Sequence, residues 1–168
     1  MIRIEAKIEA IVNMLSRKHK YIYESWQGAN EAVERLEKED FPVCINVLPV
    51  SGSLRFGNVQ SFDAPNCMIA FLDRARELDF KGDTNENSVN QCKDAAREFV
   101  NLCNGSGWFD YIDYASYSVI YDKLDATLTG IMLEVRLQET KGAPICPINS
   151  SRYPNLRIFD DTHSKEFN

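Results

Sequence analysis

The chain has 168 residues, of which 44% are hydrophobic and 26% are charged, and its formal net charge is −6. This length fits one domain with a sizeable core, and the composition is that of an ordinary globular protein. The negative charge is spread along the chain, which argues against nucleic-acid binding as the main function because phosphate contacts require clustered Lys and Arg.

Charged residues interrupt the segment from Met1 to Leu15, where a signal peptide would be apolar, and no apolar run is long enough to cross a membrane. We therefore expect a protein that folds in the cytoplasm and does not interact with membranes. The five cysteines contain no CxxC pair and lie mostly in apolar segments, which predicts buried, reduced thiols.

Two amphipathic helices are predicted near the N-terminus, because apolar residues recur there at steps of three and four. The first apolar stripe is Ile4, Ile8, Ile11 and Leu15, and the second is Trp26, Ala29, Val33 and Leu36. The segment KYIYES between them is either helical or a short extended link. The basic run Arg17 to Lys20 is interpreted as a solvated helix end. Pro42 is expected to end the helical region, since it disfavours helical geometry at Phe41.

The next segment predicts β-structure. Val43, Ile45 and Val47 alternate with other residues as in a strand, and Gly52 and Gly57 then interrupt the chain, which indicates either an antiparallel pair or a strand with a flexible loop. Residues 67–72 are continuously apolar, as in a strand buried on both faces, with a helix as the alternative.

A long helix is predicted from Asp83 to Cys103 by its apolar spacing, and the sequence NGSG should end it with a glycine in a left-handed conformation. Asp83, Asn85 and Asn87 resemble the start of a calcium-binding loop, but Ser88 stands where that loop needs glycine. A helix cap formed by Asp83 and Glu86 is the better interpretation.

Alternation then predicts a hairpin of two strands, Tyr111 to Tyr121 and Ile131 to Leu137. The proline-rich remainder has no periodicity. We therefore predict an α+β fold, with helices packed on a mainly antiparallel β-sheet over residues 1–140 and an extended C-terminal arm over residues 141–168.

Candidate catalytic chemistry is sparse. No nucleophile, phosphate-binding or zinc-protease motif occurs, and both histidines are expected to face solvent. No cofactor or metal is predicted, and the chain is not expected to be an enzyme. A small hydrolase with a site built from Asp122, Asp125 or His163 is the less favoured alternative.

Aromatic residues crowd into the segment before the hairpin turn. On an extended strand, Tyr111, Tyr117 and Tyr121 would share one face with Asp113, Ala115 and Val119. Tyr and Trp are favoured at interface cores, so this face could meet another subunit, although ordinary cross-strand packing would give the same pattern.

The order of elements resembles that of tail-terminator and tail-completion proteins of tailed bacteriophages. The residues that carry the resemblance are Tyr121-Asp122, Thr129-Gly130 and Ile131 to Leu137, preceded by the helix from Asp83 to Cys103. Related ring proteins line the neck or tail of short-tailed phages, including the crAss-like group. The resemblance covers roughly residues 1–140 and is one of layout.

The resemblance implies a structural virion protein, made in the bacterial cytoplasm, that forms a closed homo-oligomeric ring joining portal or stopper to tail. An acidic ring suits a channel through which DNA passes without specific binding. The predicted subunit-interface residues are Trp108, Tyr111, Tyr117 and Tyr121 in the domain, and Ile145, Tyr153, Leu156 and Phe159 in the arm. The alternative is a monomeric adaptor or inhibitor that binds one protein partner through the aromatic strand.

Overall fold

The computed structural model describes residues 3–56, 61–74, 83–123 and 128–140. Within these residues three α-helices pack on a six-stranded, mostly antiparallel sheet, which confirms the predicted α+β fold. The elements are α1 (Ile4–Val12), β1 (Lys20–Glu24), α2 (Trp26–Glu34), a short 3-10 turn (Lys38–Asp40), β2 (Val43–Val47), β3 (Gly52–Phe56), β4 (Ser61–Arg74), α3 (Asp83–Ser106), β5 (Ser116–Lys123) and β6 (Leu128–Arg136).

The strand order across the sheet is β1-β2-β4-β6-β5, and β3 pairs with β4 beyond the end of β2. β1 and β2 are parallel, and every other pair is antiparallel. β2 and β3 follow one another along the same side of β4, against residues 68–72 and 61–65 respectively. The sequence predicted either an antiparallel pair or a strand with a flexible loop in this segment. In the structure β2 and β3 each pair antiparallel with β4.

Helices cover both faces of the sheet, and each face has its own apolar core. On one face α1 and α3 pack against the sheet through residues such as Phe71, Phe99 and Ile131. On the other face α2 contributes Ala29 and Val33 to a smaller core. Because both faces are covered, all five residues of β2 are buried, not only the alternate ones. β4 is likewise buried over much of residues 67–72, which confirms a strand and excludes the helical alternative there.

The segment KYIYES forms strand β1, so its extended interpretation is correct and its helical one is wrong. β1 lies at the edge of the sheet and pairs in parallel with β2, with Ile22 opposite Ile45. Parallel strands need a connection that crosses over one face of the sheet, and α2 provides it here. The partner of this strand is thus fixed by tertiary structure.

The long helix α3 extends three residues beyond the predicted Cys103, to Ser106. It ends where Gly107 takes a φ of 68°, the left-handed conformation expected of a glycine after a helix. The predicted cap at Asp83 involves a side chain outside the described residues. The prediction of the stop at NGSG is confirmed.

Burial of the thiols is confirmed for Cys44, Cys67, Cys92 and Cys103, which are free and buried. Burial raises the pKa of the Cys67 and Cys92 thiols to about 12 and raises the pKa of the other two as well. Thiols with such pKa values stay protonated at neutral pH and are weak nucleophiles. These four cysteines are packing residues.

The prediction that His19 faces solvent is wrong, because its side chain is only 4% exposed. Nδ1 of His19 donates a hydrogen bond to the Arg17 carbonyl at 2.7 Å, and the ring meets Phe71 edge-on at 5.8 Å. The basic run therefore does not form a solvated helix end. It leads into β1 and places one imidazole in the core, while Arg17 itself pairs with Asp73 at 2.7 Å.

We expect the free energy of unfolding to decrease as the pH falls below about 6.5, the ordinary pKa of histidine. Burial lowers the pKa of His19 in the folded chain, despite the hydrogen bond to Arg17 and the nearby Asp73 and Glu98 carboxylates. The unfolded chain thus takes up a proton at a higher pH than the folded chain. Urea unfolding across this pH window measures the effect. His19→Asn, whose amide can still donate to the Arg17 carbonyl, should reduce the slope, and an unchanged slope would contradict the assignment.

Candidate assembly surface

Four of the predicted interface residues, Trp108, Tyr111, Tyr117 and Tyr121, lie in the connection after α3 and in the edge strand β5. The structure corrects the strand predicted from Tyr111, since residues 110–115 form an irregular loop and β5 begins only at Ser116. The backbone of this loop is hydrogen-bonded to the end of α3 and to the segment that follows β6. We call residues 108–115 the aromatic loop.

One side of the aromatic loop is fixed to the end of α3. The Asn104 amide bonds to both backbone groups of Ile112, donating to its carbonyl at 3.0 Å and accepting from its N–H at 2.7 Å. Oγ of Ser106 accepts from the Trp108 N–H at 3.0 Å and donates to the Cys103 carbonyl at 2.7 Å. The α3 end therefore holds the loop at two points.

The other side of the loop is fixed to the chain that follows β6. The Asp110 N–H donates to the Gln138 carbonyl at 2.7 Å, and the Thr140 N–H donates to the Trp108 carbonyl at 3.2 Å. Phe109 forms a β-bridge with Glu139. The loop backbone is thus held from two directions, although it has no regular secondary structure.

The side chains of this loop divide between the core and solvent. Phe109 and Ile112 are buried in the core next to α3, and Trp108 packs partly against the same core. Tyr111 and Tyr114 are each 78% exposed. Of the two predicted interface residues in the loop, Tyr111 is therefore exposed and Trp108 is half-buried. Tyr114 is a further exposed aromatic residue of the loop.

Strand β5 continues the exposed aromatic surface. Tyr117 lies opposite Leu133 and Val119 lies opposite Ile131, which places both on the α3 side of the sheet. Tyr117, Val119 and Tyr121 are exposed. The predicted common face holds for Tyr117 and Val119, whereas residues 111–115 are not strand and the pairing of β5 with β6 is irregular after Ile120.

We define the aromatic surface as the exposed side chains of the loop and of β5, namely Tyr111, Tyr114, Tyr117, Val119 and Tyr121. Within the part of the chain that the structure describes, β5 is the last strand on its side of the sheet, and β1 is the last on the other. Each edge therefore offers backbone groups for further strand pairing.

A cavity of about 380 Å³ opens between α3, β5 and β6, beside the aromatic surface. Its lining is mainly apolar, and its two cations are Lys93 and Arg97. The lining residues are Lys93, Ala96, Arg97, Val100, Asn101, Ala115, Tyr117, Ile131 and Leu133. Nζ of Lys93 lies 5.1 Å from the centroid of the Tyr117 ring, within cation–π range. The cavity is therefore an apolar depression with positive charge on its α3 side.

The sequence interpretation missed a second exposed apolar group on β3 and the turn before it. Val50, Leu54 and Phe56 are all exposed, Phe56 at 81%. The alternation of Leu54 and Phe56 with Ser53 and Arg55 was available as a signal. It indicates a strand with one apolar face, but which face is covered depends on the rest of the fold.

Other predicted site residues lie outside the described residues. They are Ile145, Tyr153, Leu156 and Phe159 of the arm, and Asp125 and His163 of the alternative hydrolase site. Asp122 belongs to β5, but its side chain is also outside the description. Among the described side chains, no group of three or more His, Cys, Asp or Glu residues could hold a metal ion.

Comparison with protein-family models finds no match, and comparison with curated proteins finds no significant relative. Over the ranges that the structure describes, no helix has the length and apolarity needed to span a membrane.

Proposed function

We propose that this chain is a structural subunit that assembles head to tail into a closed ring in the neck or tail of a tailed bacteriophage. In this role it joins portal or stopper proteins to the tail, and DNA passes through the ring without specific binding. The aromatic surface is the observation that carries the proposal. The resemblance in element order supplies the phage context.

The aromatic surface has the composition of an interface core, since tyrosine is enriched where protein surfaces meet. Solvent-exposed tyrosines on a disordered loop would lose much entropy on binding. Here Asn104 and Ser106 on one side and Thr140 on the other already fix the loop backbone. Preorganisation of this kind lowers the cost of association.

The two sheet edges suit head-to-tail assembly. β1 and β5 lie at opposite ends of the strand order, so one copy can offer β5 where the next offers β1. Contacts between two different surfaces of the same chain generate rings when the rotation closes. Rings of this type require a rigid scaffold and no catalytic centre.

The test is the mass of the purified chain by light scattering across concentration, with negative-stain images of the same sample. We expect a discrete multiple of 19.2 kDa and closed rings. The double variant Tyr111→Ser/Tyr117→Ser should shift the sample towards monomer. Phe56→Ser removes an aromatic side chain about as exposed as Tyr111 from β3 and should leave the assembly unchanged.

Two results would contradict the proposal. A strict monomer at all concentrations would exclude self-assembly and favour the monomeric adaptor, which would use the same aromatic surface for one protein partner. Assembly that Phe56→Ser abolishes and the double tyrosine variant does not would place the contact on β3 instead.

A further inference from the structure

We propose that the cavity between α3 and strands β5 and β6 receives residues 156–161 of the C-terminal arm of a neighbouring copy. The inference rests on the proposed function, because it requires adjacent copies. It assigns an occupant to the cavity and a role to the arm: the arm of one subunit locks onto the next.

The lining of the cavity favours an apolar ligand that carries a negative charge at one end. Its floor is formed by aliphatic side chains, including Val100, Ile131 and Leu133, and its cations come from Lys93 and Arg97 on α3. Among the described residues Lys93 forms no ion pair, and Arg97 pairs only with Asp94 of the same helix, where both side chains are more than 70% exposed. Such an exposed pair is weak and easily replaced.

The segment LRIFDD of the arm has this chemistry. In an extended chain alternate side chains share a face, so Leu156, Ile158 and Asp160 lie together and Arg157 lies on the opposite face. The two aliphatic side chains can then enter the cavity while the Asp160 carboxylate meets Lys93 and Arg97. A cavity of 380 Å³ falls within the range of ligand pockets, about 300–1,000 Å³, so it has room for them.

The arm is long enough to reach a neighbour. It leaves the domain at Thr140, which is bonded to Gly107 and Trp108 at the C-terminal end of α3. The 16 residues from there to Leu156 span at most about 55 Å when extended. The cavity lies beside the open edge strand β5, where the proposed ring places the next subunit. Exchange of an element between identical subunits is a common way to stabilise such contacts.

Photo-crosslinking of the full chain tests the occupant directly. Ile158 is replaced by p-benzoylphenylalanine, and ¹⁵N-labelled and unlabelled chains are mixed before irradiation and mass spectrometry. We expect adducts between chains of different isotope content, on residues 93–101 or 115–117. Adducts confined to single chains, or located elsewhere, would overturn the proposal.

Reversing the charges of the cavity and of the arm tests whether the cavity recognises the acidic end of the arm segment. Lys93→Glu/Arg97→Glu should raise the concentration needed for assembly about tenfold or more, and adding Asp160→Lys should reverse part of this increase. The matched control is Lys18→Glu/Arg35→Glu, which makes the same charge change at two exposed residues away from the cavity. Both cavity cations are at least partly exposed, so the folded domain should tolerate their reversal.

The outcomes separate this inference from the proposed function. If the wild-type chain forms rings but the cavity variants assemble normally and Ile158 crosslinks elsewhere, the arm assignment is wrong and the ring remains. If the wild-type chain never associates and the adducts lie within single chains, both are wrong.

Discussion

Replacing Gly130 by alanine should lower the free energy of unfolding by about 3 kcal/mol or more, the largest effect that we expect from adding one methyl group to this chain. A Cβ at this position would overlap the Phe71 carbonyl oxygen and would lie 3.0 Å from Cα of Leu72. Both belong to the backbone of β4, the central strand, so neither can move without disturbing the sheet. Urea unfolding measures the loss.

The matched control is Gly105→Ala. A Cβ at Gly105 would meet nothing within 4 Å, and the residue lies in the last turn of α3. Alanine is the better helix former by about 1 kcal/mol, so this variant should be neutral or slightly more stable. Equal stability of the two variants would show that β4 and β6 can separate locally, contrary to the close approach at Gly130.

Lys7→Met should cost about 2–4 kcal/mol, because it leaves a buried carboxylate without its counter-ion. Nζ of Lys7 lies 2.7 Å from Glu139, and the two side chains are only 14% and 8% exposed. The other carboxylate oxygen of Glu139 accepts from the Asp63 N–H at 3.4 Å. This contact ties α1 to the segment that follows β6. Methionine keeps the aliphatic stem, so thermal or urea unfolding reports mainly the lost charge.

An exposed pair of similar length provides the comparison. Asp94 and Arg97 are 2.6 Å apart but more than 70% exposed, so Asp94→Asn should change stability by less than about 1 kcal/mol. The double variant Lys7→Met/Glu139→Gln should be more stable than the sum of its single variants predicts, since it removes both charges together. Additive losses would show that the two groups do not interact.

The ion pair and the hydrogen bonds of the aromatic loop converge on the same short segment. Residues 137–140 follow β6 and contact α1 through Glu139, β4 through the Pro65 and Asp63 carbonyls, and the loop through Gln138 and Thr140. The backbone of the aromatic loop is therefore positioned by the same short segment that contacts α1 and β4.

The fold class and most of the helices and strands were predictable from the sequence. The apolar stripes of α1, α2 and α3 and the alternation in β2 and β6 are local signals, because each follows from the geometry of one helix or strand. The helix stop at Gly107 is equally local, since only glycine takes a positive φ without steric cost. The cluster of tyrosines was also visible as a candidate surface.

Which side chains are buried depends on the tertiary structure. β2 is buried on both faces because α2 lies on one side and α1 and α3 on the other, and His19 is buried because its segment turns into β1 against Phe71. The course of the aromatic loop depends on the hydrogen bond from the Asp110 N–H to the Gln138 carbonyl, which joins two segments distant in sequence. The spacing of apolar residues within one segment does not show which distant segment it pairs with. Neither the open edges of the sheet nor the cavity could therefore be predicted from the sequence.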